Sequence, residues 1–94
     1  MSQAKFGTRG VMLDTEIVEE IDRLRAGLAC TLVKYGNHSA ASKHEILGLM
    51  QEEVAELTEA VHSGSSLDII NELLDVAIVA IYGAASLRNI HTDW

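Results

Sequence analysis

The chain has 94 residues and a net charge of −7. It is 48% hydrophobic and contains four aromatic residues, one cysteine and no proline. A chain this short buries a modest fraction of its surface, so one domain with help from oligomerisation is expected. The acidic balance excludes a nucleic-acid surface, which needs clustered Lys and Arg, and means that an anionic ligand would require a metal ion. Aliphatic side chains without proline favour an all-α fold.

Residues 1–13 carry two glycines and no clear period, and they read as an N-terminal arm ahead of a single helical domain over 14–94. This stretch lacks the apolar run of a signal peptide, and Cys30 has no partner for an internal disulfide, so a cytoplasmic location is expected. From Asp14 onward, Ile17, Ile21, Leu24, Leu28, Leu32 and Tyr35 recur at three- and four-residue steps. That spacing predicts a helix over about 15–35, capped by Asp14, stapled by Leu13 against Val18 and stopped at Gly36. Cys30 reads as a small core residue of this helix.

"SKHE", Ser42 to Glu45, has the spacing of a capping box and predicts a second helix from residue 43 to about His62. "SGSS" then interrupts the pattern, and a third helix is expected from about Leu67 to Asn89. The short connection makes these two an antiparallel hairpin. Ile46, Leu47, Met50, Val54, Leu57 and Val61 share one arc of the second helix and define its expected core face. Glu52 and Glu59 lie away from that arc and read as solvated. Glu53 falls at its edge and Glu56 somewhat further round.

The third helix is apolar almost all round, which predicts a buried helix. Its tract "VAIVAIYGAA" is half the length needed to span a bilayer and continues a segment holding Glu72 and Asp75, so no membrane role is expected. One polar stripe carries Asp68, Asn71, Glu72, Asp75, Tyr82, Ser86 and Asn89. Acids in a buried helix are costly without a compensating cation, and few Lys or Arg residues are near in sequence.

The pairs Glu53/Glu56 and Glu72/Asp75 lie symmetrically in sequence about Gly64 in the connection. Across an antiparallel hairpin both pairs then sit at one level, ~14 Å from the turn, on helices ~8–10 Å apart. Four converging carboxylates repel one another, whereas hard oxygen ligands of high charge suit Mg²⁺ or Mn²⁺. Neither acidic pair contains the histidine of a di-iron Glu-x-x-His motif, and the four histidines lack zinc-ligand spacing.

The E-x-x-E and E-x-x-D motifs formed by these acids, with Glu52 making a double-Glu form, resemble the signature of the MazG-like all-α nucleoside triphosphate pyrophosphohydrolases. "KYGNHSAASKHEILGLMQEEVAEL" and "ELLDVAIVAI" extend the likeness over about residues 34–85. The resemblance implies Mg²⁺-dependent cleavage of a (deoxy)nucleoside triphosphate to monophosphate and pyrophosphate, as house-cleaning of the nucleotide pool. It implies a homodimer or dimer of dimers that completes the bundle. It also makes Glu53, Glu56, Glu72 and Asp75 the metal ligands and catalytic residues. Lys34 or Lys43 is a candidate phosphate contact, and His44, Tyr82, Arg88 and Asn89 are candidate substrate contacts. Two alternatives stay open: a non-catalytic helical module that binds nucleotide or protein, and a hydrolase of another pyrophosphate compound such as a phosphoribosyl nucleotide.

Overall fold

In the computed structural model, which describes residues 10–89, the chain forms three helices: α1 (Asp14–Lys34), α2 (Lys43–Ser63) and α3 (Ser66–Asn89). The fold is all-α, as expected, and the described residues contain no strand. Most of the anticipated N-terminal arm lies outside the described residues.

Local signals explain the helix boundaries, with two changes from expectation. The cap of α1 is Leu13 rather than Asp14. The Leu13 N–H donates to Glu16 Oε2 at 2.7 Å, so the reach-back from the glutamate sets the start without a polar cap side chain. The staple expected between Leu13 and Val18 is thereby out of register, and both side chains are more than half exposed. At α2 the Glu45 N–H donates to Ser42 Oγ at 3.2 Å, as the box predicts. The return bond to Glu45 Oε1 comes from the Ala41 N–H, one residue earlier than expected. α1 closes through Gly36 and Asn37, both at positive φ (65° and 60°). Those are the two residue types that most readily adopt this conformation. Ser65 and Asp68 cap α3 reciprocally: the Asp68 N–H donates to Ser65 Oγ (3.2 Å) and the Ser65 N–H to Asp68 Oδ2 (3.0 Å).

α3 is the central element. α1 and α2 each pack against it and not against each other. One glycine permits the closest crossing. A Cβ at Gly83 would lie 2.7 Å from Ile46 Cγ2 on α2, a branch methyl fixed close to its own backbone, so this approach needs the missing side chain. A Cβ at Gly27 of α1 would lie 2.8 Å from Ile78 Cδ1 on α3, the mobile end of a side chain that can turn aside.

The face of α2 that meets α3 differs from the predicted arc. Ile46, Leu49, Met50, Glu53, Leu57 and Ala60 are buried or half-buried, whereas Leu47, Val54 and Val61 are 55%, 45% and 56% exposed. The contact face is therefore turned by roughly 60° on the helical wheel, with Glu53 near its centre rather than at its edge. α3 is likewise not the buried helix its composition predicts: Val79, Gly83 and Ser86 are buried, while Leu67, Ile70, Leu73, Ile81 and Leu87 remain exposed. Cys30 is exposed, contrary to its reading as a core residue, because α1 is covered on one side only. The radius of gyration, 16.0 Å, exceeds the ~12 Å of a compact chain of this length. By length and composition α3 would also suffice to cross a membrane.

Candidate metal centre

The hairpin brings the four acids together. One carboxylate oxygen from each of Glu53, Glu56, Glu72 and Asp75 lies within 4.8 Å of the others. Glu53 and Glu56 come from successive turns of α2, and Glu72 and Asp75 from successive turns of α3. The reciprocal Ser65–Asp68 cap and the bond from the Gly64 N–H to Ala60 O (2.7 Å) hold the turn that keeps them level. Glu52 and Glu59 are exposed, as their wheel positions require.

Glu53 and Glu72 are half exposed, and each keeps one oxygen, Glu53 Oε2 and Glu72 Oε2, buried without a hydrogen-bond partner. Among the described residues the ion pair formed is Arg23 with Glu20, on α1, and none of the four acids is in an ion pair. Burial, followed by the charges of Glu56 and Asp75, pushes the Glu53 carboxyl up to about 7. Burial, then Glu56 and Asp75, raises the Glu72 carboxyl in the same direction. A buried anionic oxygen with no donor is costly, and a divalent cation supplies the missing partner. The residues present therefore fit a hard divalent ion.

The cluster lies between two clefts. Glu56 and Glu72 line one beside the turn, together with Glu59 and Asp68. Glu53 and Asp75 line the other, of about 160 Å³, with Thr31, Lys34 and Tyr35 at the end of α1. Lys34 is thus brought to the acids. Lys43 and His44 are exposed in the first turn of α2, ~14 Å along the axis from Glu53. Arg88 is exposed in the last turn of α3, ~20 Å along the axis from Asp75. These three stay apart from the cluster.

Tyr82, a candidate substrate contact on the polar stripe of α3, is held by the α1–α2 connection. Its O–H donates to His38 O at 2.8 Å, and its ring lies against that of Tyr35 with centroids 5.1 Å apart. Burial, then the nearby Glu45 and Tyr35, raises its phenol above the ordinary value. Sequence reasoning missed Thr31 and the cleft-lining role of Tyr35. Tyr35 is the last member of the apolar stripe of α1, and its place next to Lys34 is the available signal.

The family described as phosphoribosyl-ATP pyrophosphohydrolase matches residues 32–93, which span the end of α1 and both helices of the acidic hairpin. The chain belongs to this family. It is accordingly a member of the MazG-like all-α NTP pyrophosphohydrolase superfamily, as the motifs suggested, and a pyrophosphohydrolase by type. No curated protein and no solved structure matches the chain.

Proposed function

We propose that the protein is a divalent-metal-dependent pyrophosphohydrolase that cleaves (deoxy)nucleoside triphosphates to the monophosphate and pyrophosphate, with Mg²⁺ or Mn²⁺ held by Glu53, Glu56, Glu72 and Asp75. The observation that carries this reading is the convergence of four acids, two of which, Glu53 and Glu72, keep a buried oxygen without a partner. In the reaction, water adds across the phosphoanhydride between the α- and β-phosphates, and pyrophosphate leaves. The bound cation would neutralise phosphate charge and orient the chain for in-line attack.

The residues of this chain set the surroundings. The carboxylates, once deprotonated, supply hard ligands, and one that is left free to accept a proton can orient water. Lys34 provides a positive charge at the rim of the Glu53–Asp75 cleft, where an anionic phosphate needs one. Half-burial of Glu53 and Glu72 strengthens every charge interaction there.

The reading includes a symmetric homodimer or dimer of dimers. Its support is the exposed apolar surface on all three helices, above all the Leu47–Val54–Val61 stripe of α2. It also includes a cytoplasmic enzyme over a membrane-spanning α3, because a spanning helix would place Glu72 and Asp75 in hydrocarbon. House-cleaning of the nucleotide pool is the biological role this activity suits.

The description of the matched family favours a second substrate, phosphoribosyl-ATP, which would use the same acids. Pyrophosphate release from a panel of ribo- and deoxyribonucleoside triphosphates and phosphoribosyl-ATP, with Mg²⁺ and with EDTA, tests the proposal. Metal-dependent release from one or more triphosphates is expected. Release from none of the panel overturns the enzymatic reading and leaves the binding module.

A further inference from the structure

Among the described residues the buried polar side chain is Ser86, 3% exposed, on the last turns of α3. It lies ~16 Å along the helix axis from Asp75, too far to touch anything held by the acids. Its Oγ accepts instead from the Ala40 N–H at 3.1 Å, and Ala40 is itself fully buried. A buried N–H is costly to leave unpaired, so this bond fastens the connection between α1 and α2 to α3. One helical turn earlier on α3, the Tyr82 O–H donates to His38 O at 2.8 Å. Together the two bonds clamp residues 38–40 onto one face of α3.

The clamp reaches the end of α1 through the backbone. The N–H groups of Tyr35, Gly36, Asn37 and His38 donate to the carbonyls of Thr31, Val33, Leu32 and Tyr35 at 2.8–3.3 Å. Residues 31–38 are thus wound as one unit, and holding His38 and Ala40 holds Lys34 and Tyr35. The Tyr35 ring, lying against that of Tyr82, adds a third contact to the same helix.

α1 packs against α3 and not against α2. The place of Lys34 relative to Glu53 of α2 is therefore inherited from the way α1 is fixed to α3. Thr31, Lys34 and Tyr35 line the cleft that holds Glu53 and Asp75. Lys34 is a point charge on a flexible stem, and a loose helix end would let it swing away from an anion in that cleft. Such a loss weakens phosphate binding and leaves the metal ligands as they are.

We propose that Ser86 is a positioning residue: with Tyr82 it clamps the α1–α2 connection to α3 and so holds Lys34 at the Glu53–Asp75 cleft, opposite the phosphates of the ligand. The proposal rests on the pyrophosphohydrolase reading for those phosphates and adds the residues that set the cation facing them.

The test is a double-mutant cycle on the full chain with Ser86→Ala, Lys34→Met and the two combined. Calorimetry gives the affinity for inorganic pyrophosphate in the presence of Mn²⁺ and for Mn²⁺ alone. Lys34→Met is expected to weaken pyrophosphate binding by about tenfold, and Ser86→Ala by about threefold or more. The double variant is expected to fall within about twofold of Lys34→Met, because Ser86 acts through Lys34. Affinity for Mn²⁺ alone is expected to be unchanged in all three. If Ser86→Ala fails to fold by circular dichroism, Tyr82→Phe, which cuts the other bond and keeps the ring, replaces it in the cycle with the same expectation. A merely structural serine would lower the melting temperature and leave pyrophosphate affinity unchanged or the two effects additive, and either result overturns the proposal. So does a wild type that binds no pyrophosphate, or a Lys34→Met variant that binds it as the wild type does. Turnover of the nucleotide panel is measured alongside. Coupled losses in pyrophosphate binding without turnover by the wild type support the clamp and overturn the enzyme reading, whereas turnover with an additive cycle overturns the clamp and leaves the enzyme reading intact.

Discussion

Glu53 of α2 and Glu72 of α3 meet across the hairpin seam, and each has one carboxylate oxygen buried without a hydrogen-bond partner. Such a pair is unfavourable as structure and favourable as half of a cation site, and that contrast generates the first two predictions.

At alkaline pH, above the raised Glu53 and Glu72 carboxyls, Asp75→Asn removes one of four mutually repelling charges. Two like charges ~4 Å apart cost about 1 kcal/mol in water and more where water is partly excluded. In EDTA the variant is expected to melt at or above the wild type, by about 4–8 °C for each kcal/mol relieved. The gain in melting temperature on adding Mg²⁺ is expected to shrink, since a ligand stabilises in proportion to its affinity for the folded state. Glu59→Gln, on the exposed side of α2, is the control and should match the wild type. Identical melting and metal response in all three proteins would count against the site.

The pH dependence of metal-free stability follows from Glu53. Its carboxyl stays protonated up to about 7 in the folded chain, against about 4.3 for a free glutamate. Between those values the folded state binds more protons than the unfolded one, so the contribution of Glu53 falls as pH rises and levels off above about 7. Glu72 is shifted in the same direction and adds to the trend. Divalent ions need deprotonated ligands, so the Mg²⁺-induced gain is expected to be small at pH 5 and to grow through pH 7. Melting curves across this range in EDTA and in Mg²⁺ check both signs; a Mg²⁺ effect that is larger at pH 5 than at pH 8 would refute the assignment.

Gly83 and Gly48 make an opposed pair. A side chain at Gly83 runs into Ile46, whereas one at Gly48 meets nothing within 4 Å. Gly83→Val is expected to cost about 1–3 kcal/mol through overpacking. Gly48→Ala should gain about 0.5–1 kcal/mol from helix propensity alone. Urea denaturation of the two variants reads both values, and a stabilised Gly83→Val would show that α2 and α3 are further apart than described.

Why the acids were legible before the fold, and the α2 packing face was not, has a physical cause. The level of Glu53, Glu56, Glu72 and Asp75 depends only on helix rise and a short turn, and "SKHE" and "SGSS" mark both helix boundaries. The orientation of α2 depends on which of two adjoining apolar stripes meets α3. Leu47, Val54 and Val61 are as hydrophobic as Ile46, Met50 and Leu57, so periodicity draws them into one arc. Gly83 decides between them by admitting Ile46. A sequence pattern does not separate surface for an intramolecular partner from surface for another subunit. Periodicity therefore places Cys30 and much of α3 in a core that one chain does not enclose.

The unpaired stripe predicts its own test. Light scattering at micromolar concentration is expected to give a dimer or larger species for the wild type. Leu47→Glu, which sets a charge in the stripe, should shift it toward monomer. A well-folded wild-type monomer would remove the oligomeric reading while leaving the acid cluster untouched.

The central claim, that these four carboxylates together hold a divalent ion, is tested most directly by titrating Mn²⁺ against the metal-free protein and following free Mn²⁺ by electron paramagnetic resonance. The wild type is predicted to sequester Mn²⁺ in competition with Mg²⁺, and Asp75→Asn and Glu53→Gln to weaken that binding by about tenfold or more, as expected for loss of a charged ligand. Equal Mn²⁺ affinity in the wild type and both variants would contradict the account.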